Sequence, residues 1–262
     1  MKINYSLPRF SFSKKNIQYY LVIVVLYLFF LITSLPATII FSSITLPKNI
    51  EVASISGTVW SGKVESFKIS GIEVGSVNWS LQPLNLILGE LSADISILNK
   101  KQYINSEVNI SYSGKVELEE TRFLIDLASL RPLTYGMPFS YSGTASGYFP
   151  ISHFHKNNYV GLNGKLSLIS LEMTSPQRQT FGDFIVDFRA EKEGATSGQL
   201  KDKGGDLDIS GQFLLKKNGQ INVSAQLAAR KAGGSLEKAL SFVGRKDASG
   251  RVQFNSNFKL WR

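Results

Sequence analysis

From Asn16 to Pro47 the chain carries no charged residue, and the middle of that span reads LVIVVLYLFFLITSLPATIIF. Few environments accept such a run. At roughly 1.5 Å rise per residue, about 20 helical residues cross a hydrocarbon core of roughly 30 Å, so the segment is long enough to span a bilayer. Its apolar core runs from Leu21 to Leu35, interrupted only by Thr33 and Ser34. Tyr19 and Tyr20 fall where an interfacial aromatic belt would sit. Pro36, which lacks an N–H, can kink or end the helix. The sequence thus predicts a single transmembrane helix over 17–40.

The flanks set its direction. Residues 1–16 hold Lys2, Arg9, Lys14 and Lys15 and no acid, so this basic tail is expected to stay cytoplasmic, with residues 41–262 on the far side. A cleaved signal peptide also has a basic start and an apolar middle. Its apolar region is about 7–15 residues, however, and cleavage after Ala37 would put Leu35 where a small residue is needed.

The 222 residues beyond the span are enough for one substantial domain. The chain has no cysteine, which excludes a disulfide scaffold, a zinc–thiolate site and a thiol nucleophile. Of the net +9, four charges lie in the tail. The rest form scattered pairs such as Lys216 with Lys217 and Arg230 with Lys231, not the dense basic face of a nucleic-acid binder.

Beyond Ile50 apolar residues alternate in short runs. Val64–Ile69, Ile72–Trp79, Leu91–Ile97, Val108–Tyr112, Phe184–Ala190, Leu207–Ile209 and Val252–Phe254 all show period two in Val, Ile, Phe or Tyr. That is the pattern of half-buried strands, and their number points to an antiparallel, curved β-sheet built as a meander. Ser-Gly recurs ahead of strands, at Ser56-Gly57, Ser61-Gly62, Ser70-Gly71, Ser113-Gly114, Ser142-Gly143, Ser210-Gly211 and Ser249-Gly250, with Asn163-Gly164 as an equivalent. Glycine there can supply the positive φ of a tight turn or a bulge. Two or three short helices are expected: one beginning at Pro83 and stopping at Gly89, one from Ser235 to Gly244, and a turn over Asp126–Leu133. Segments 150–161 and 191–206 are polar and read as loops, the second as the best hinge.

Candidate chemistry is thin. Gly57-Thr-Val-Trp-Ser-Gly62-Lys63 meets part of a phosphate-loop pattern, but Val64 stands where Ser or Thr must hold magnesium, and a strand follows instead of a helix. His153 and His155 could chelate a metal from one face of a strand, yet no acid between Asp126 and Glu172 supplies a third ligand, and a polar loop fits better. Asp202, Asp206 and Asp208 miss the spacing of a calcium loop. No G-x-S-x-G occurs. The expectation is a non-enzyme with no cofactor, no metal, no nucleotide and no nucleic acid.

The block Ile55-Ser-Gly-Thr-Val-Trp-Ser-Gly62 follows the apolar span; Gly75-Ser-Val-Asn-Trp79-Ser-Leu-Gln-Pro83 and Leu86-Ile-Leu-Gly89-Glu-Leu91 come next. In order and spacing these resemble the protein N family of the bacterial type II secretion system. The resemblance implies a non-enzymatic inner-membrane component that assists export of folded periplasmic proteins across the outer membrane, with a β-rich periplasmic domain. Its partners would be other inner- or outer-membrane parts of the machine. The motif residues Gly57, Thr58, Trp60, Gly62, Trp79, Pro83 and Gly89 bring no catalytic role with them. Trp60 and Trp79 alternate with small residues and are expected to bury against the first sheet face, the glycines serving turns or stops. A second reading is an AsmA-like envelope protein holding acyl chains in an apolar β groove; a continuous apolar groove would favour it, whereas a plugged core with a free sheet edge would favour protein partners.

Overall fold

The period-two runs become strands of one sheet. The computed structural model describes residues 14–100, 102–134, 139–155 and 158–259. Thirteen strands lie side by side in chain order, each antiparallel to the one before: β1 (Ile50–Gly57), β2 (Ser61–Ile69), β3 (Ile72–Leu81), β4 (Glu90–Asn99), β5 (Gln102–Ser111), β6 (Lys115–Asp126), β7 (Ser140–His155), β8 (Asn158–Ser175), β9 (Gln179–Ala190), β10 (Thr196–Gly204), β11 (Leu207–Leu215), β12 (Gln220–Ala229) and β13 (Val252–Lys259). The sheet is open, with β1 and β13 as its edges.

Register decides which side is apolar. One cross-strand row runs Ile55, Val64, Val77, Ile97, Ile104, Phe123, Gly147, Leu166, Val186, Leu200, Gly211, Ala225, Phe254. The row beside it runs Ser56, Lys63, Asn78, Ser96, Asn105, Arg122, Tyr148, Lys165, Asp187, Gln199, Gln212, Ser224, Asn255. Successive residues of a strand point to opposite faces, so the first row lies on one face and the second on the other. No strand breaks the pattern.

Among the described residues no second sheet is stacked on it, and the apolar face is covered largely by its own side chains. Phe123, Phe149, Phe188 and Phe213 form a chain of rings with centroids 6.1, 5.4 and 5.5 Å apart. Three of these rings lie over a glycine of an adjacent strand: a Cβ on Gly147, Gly164 or Gly198 would come within 2.6 Å of the ring of Phe123, Phe149 or Phe213. Burying each ring contributes roughly 1.5–3 kcal/mol, with about 0.5–1.5 more per well-placed pair. At the last strands α4 (Ser235–Val243) takes over. Its Leu236 and Leu240 pack on Leu227 and Val252, with Phe181, Ile209 and Phe254 around them.

The short helices form at their signals: α3 (Pro83–Ile87) begins at its proline, α4 stops before Gly244, and a 3-10 stretch spans Leu127–Thr134. The N-terminal run divides differently from expectation. It gives α1 (Lys14–Thr33), a break at Ser34–Pro36, and α2 (Ala37–Ser43), because Pro36 cannot continue the ladder. Among the described residues no helix is long and apolar enough to cross a membrane; the part of α1 whose side chains are described, Ile17–Thr33, rises about 25 Å. Most of the expected basic tail, residues 1–13, lies outside the described residues.

Most of both expected loops is strand, although Lys192–Gly194 is a 3-10 turn and residues 156–157 lie outside the described residues. Residues 150–155 continue β7, with Pro150 at a bulge between Tyr148 and Ile151 where the ladder is already interrupted. Segment 191–206 is no hinge: β10 pairs with β9 and β11 along most of its length. Its apolar-face positions are Thr196, Gly198 and Leu200, and the glycine stands where a ring from a neighbouring strand needs room. Of the Ser-Gly pairs, Gly57, Gly71, Gly114 and Gly250 have φ from 79° to 86° at turns. Gly62, Gly143, Gly164 and Gly211 lie inside strands instead.

Adding a methyl at Gly198 should push against Phe213 and cost about 1–3 kcal/mol. Thermal unfolding of detergent-solubilised Gly198→Ala should show this loss. Combining it with Phe213→Leu should cost less than the two single changes together, since the clash is then removed.

Candidate functional site

The motif block forms the β1–β2 turn and its surroundings. Gly57 has φ 86°, and a Cβ there would stand 2.5 Å from the Ser61 carbonyl oxygen. Thr58 N–H donates to that same oxygen at 2.9 Å, and Ser61 N–H donates back to Thr58 Oγ1 at 3.2 Å. This tight turn aims its next groups at the end of α1. Val59 N–H donates to the Leu35 carbonyl at 2.9 Å, Trp60 Nε1–H donates to the Ile32 carbonyl at 2.8 Å, and Pro36 pairs as a β-bridge with Thr58. The last carbonyls of a helix have no partner within it; the hydroxyl and N–H groups of Thr33, Ser34 and Leu35 meet those of Phe29 to Ile32, and the turn adds the Trp60 indole at Ile32 and Val59 N–H at Leu35, just past the helix.

Trp79 holds the turn from below. Its Nε1–H donates to the Val59 carbonyl at 3.0 Å, and its ring lies on Gly62, where a Cβ would meet Cζ2 at 2.3 Å. Phe41 of α2 packs on the same ring with centroids 5.8 Å apart, and Ala37 is 1% exposed. Trp60 and Trp79 are half-buried, each with its one polar atom engaged. Gly57, Thr58, Trp60, Gly62 and Trp79 thus meet in one joint between the N-terminal helices and the sheet. Sequence reading missed its other half: Ile32, Leu35, Pro36, Ala37 and Phe41. The available signal was the pair of indole N–H groups, which need acceptors when buried, close after a helix end that needs donors.

Pro83 and Gly89 bound the β3–β4 connection. Asn85 Nδ2 donates to Ser92 Oγ at 2.8 Å, and Ser92 is 1% exposed. Gly89 turns at φ 82° and its carbonyl accepts from Tyr112 N–H at 3.3 Å.

The other candidates separate. Lys63 pairs with Glu65 at 2.9 Å and sits in β2, with no helix after it. His153 and His155 lie on β7, not in a loop, opposite Glu117 and Lys115 of β6. An acid therefore does reach the pair from the neighbouring strand: His153 Nδ1 is 3.3 Å from Glu117 Oε2, out of line for a hydrogen bond. The hydrogen bond from Lys115 at 2.6 Å holds Glu117 below its usual range, against its partial burial and with help from His153. Asp202, Asp206 and Asp208 each have a cation of their own, Arg230, Lys231 and Arg251. Among the described residues no three acids or histidines are grouped to hold a metal.

Two broad depressions mark the polar face. One, of about 670 Å³, is lined by Lys63, Asn78, Asp94, Ser96, Asn105 and Glu107; the other, of about 810 Å³, by Arg189, Gln199, Gln212, Asn222, Ser224 and Asn255. Trp79 and Ile95 also line the first, and Phe213, Leu214 and Val223 the second.

Two outcomes test these contacts. Gly57→Val should lose about 1–3 kcal/mol through backbone strain, read as a lower unfolding temperature and protein level. Burial pushes the Asp202 carboxyl up, but the Arg230 hydrogen bond and the N–H groups of Ile209 and Gly204 outweigh it and hold it below 3.8. A depressed carboxylate gives stability that is complete above that pH and is lost as pH falls through its folded value. Acid unfolding followed by circular dichroism should therefore be shallower below about pH 3.8 in Asp202→Asn than in the parent.

A family profile described as Type II secretion system (T2SS), protein N matches residues 48–255. Three similar proteins carry the name Type II secretion system protein N. The one from Vibrio cholerae is 25% identical over 240 residues, covering 87% of this chain and 92% of the relative. That from Klebsiella pneumoniae is 23% identical over 254 residues (91% and 94%), and that from Aeromonas hydrophila 22% over 244 (87% and 92%). No solved structure matches the chain.

Proposed function

The chain belongs to the type II secretion system protein N family and is a structural component of that machinery without a catalytic role; from this premise we propose that it is a single-pass inner-membrane protein whose periplasmic sheet assists export of folded proteins across the outer membrane. The observation that carries the reading is the joint. Trp60, Val59 and Thr58 tie the end of α1 to the first hairpin, so an anchor and a sheet become one body. Support for the anchor is the uncharged run from Asn16 to Pro47, together with the exposure of every large apolar side chain of α1 from Ile17 to Ile32. In water that surface would be costly at roughly 25 cal/mol per Å², whereas lipid accepts it. The basic tail before it favours a cytoplasmic N-terminus.

Partners on this reading are other inner- or outer-membrane components of the machine. The polar face offers them hydrogen-bonding side chains from all thirteen strands, and the edge at β13 offers a ladder from Gln253 onward, beyond the bridge that Lys246 makes at Val252. An AsmA-like lipid-handling role has one observation in its favour, the unbroken apolar row. Against it stand the rings that fill the apolar face and the closure of its last strands by α4.

Deletion of the gene should leave proteins normally found in the culture medium in the periplasm, and the full chain supplied in trans should restore their export. Normal export together with altered envelope lipid composition would transfer the protein to the lipid-handling reading.

A further inference from the structure

The joint identifies one end of the sheet as the end at α1. Antiparallel neighbours alternate direction, so the β3–β4 connection and the β5–β6 turn lie at this end as well. At strand spacings of about 4.8 Å they stand roughly 10 and 20 Å from the β1–β2 turn.

There α3 is inside out. Its polar side chain, Asn85, is turned to the sheet and bound to Ser92 and Gln82, while Leu84, Ile87 and Leu88 are 75, 82 and 78% exposed. Tyr112, at the β5–β6 turn, is 94% exposed and adjoins Gly89. No charge occurs from Val74 to Gly89. Ile39 and Ile40, in the first turn of α2 after the joint, are also exposed. At the opposite end the β2–β3 turn is Ser70-Gly71, and the β4–β5 connection reads Lys100-Lys101 in sequence, between the exposed Leu98 and Tyr103. An exposed apolar cluster with a tyrosine beside it, level with the end of an apolar helix, matches the composition of a membrane–water interface.

We propose that α3 and Tyr112 form an interfacial foot that dips into the bilayer from which α1 emerges. The sheet would then stand on the membrane at two points and hold a fixed tilt. This rests on the reading of α1 as the anchor.

The chain has no cysteine, so single cysteines can be placed at Val24, Ile87, Leu88 and Ser70 and labelled with an environment-sensitive fluorophore. The full chain is reconstituted into phosphatidylethanolamine–phosphatidylglycerol vesicles, with or without lipids brominated near the headgroup or along the chain. Expected is loss of emission with brominated lipid at Val24, Ile87 and Leu88, none at Ser70, and quenching by aqueous iodide at Ser70 alone. Lipid quenching at Val24, with Ile87 and Leu88 as open to iodide as Ser70, overturns the foot and leaves the anchor standing. No lipid quenching at Val24 overturns the anchor and the foot with it. If Ile87 becomes shielded from iodide only when other secretion proteins are added, its occupant is a protein and the foot is likewise overturned.

Discussion

Everything in this molecule follows from keeping side-chain parity across thirteen strands. A slip of one residue anywhere would carry a strand's apolar side chains to the other face. Register shifts do occur, at Asn105/Glu107 and Tyr148/Ile151 among others. Both rows nevertheless run on through β5 to β8 and reach β13 unbroken. Because one face is mainly apolar and, among the described residues, no second sheet is stacked upon it, most of its coverage comes from what the strands carry. Phenylalanine laid across the glycine of a neighbouring strand is the means used in the middle, and Leu236 and Leu240 of α4 close the last strands. The polar face needs no such device and remains free for contact.

The second constraint is local. A helix that ends leaves carbonyls without donors, and an apolar setting makes that omission costly. Here Thr33, Ser34 and Leu35 supply donors locally, and a β-turn adds the Trp60 indole at Ile32 and Val59 N–H at Leu35. Trp79 then braces the turn, and Phe41 of α2 packs on the Trp79 ring. For a structural part of a secretion machine, the result is a sheet whose first strands cannot swivel freely about the helix that precedes them.

Much of this could be read from the chain. Strands with Val, Ile or Phe at alternate positions declared themselves, and α3 and α4 carried their own start and stop residues. β10 did not, because its key apolar-face residue is Gly198 and the ring that fills the position belongs to β11. Residues 150–155 were obscured by Pro150 and two histidines, which a bulge and a neighbouring acid accommodate. The division of the N-terminal run at Pro36 was visible as an option, but not that α2 would turn back onto Trp79. The joint was hidden for a plainer reason. Trp60 and Ile32 are 28 residues apart, and a linear pattern records neither the acceptor's need nor the donor's reach.

The strict chain-order pairing also bears on how the molecule is made. Every strand finds its partner in the one that preceded it, so no long loop must close before a contact forms, and sequence separations stay short for so large a β structure. A chain appearing N-terminus first can add one strand at a time to an edge already in place, starting from the hairpin fastened to α1. At each moment only one edge grows, the other being fixed at β1, which limits the opportunity for wrong pairing between copies.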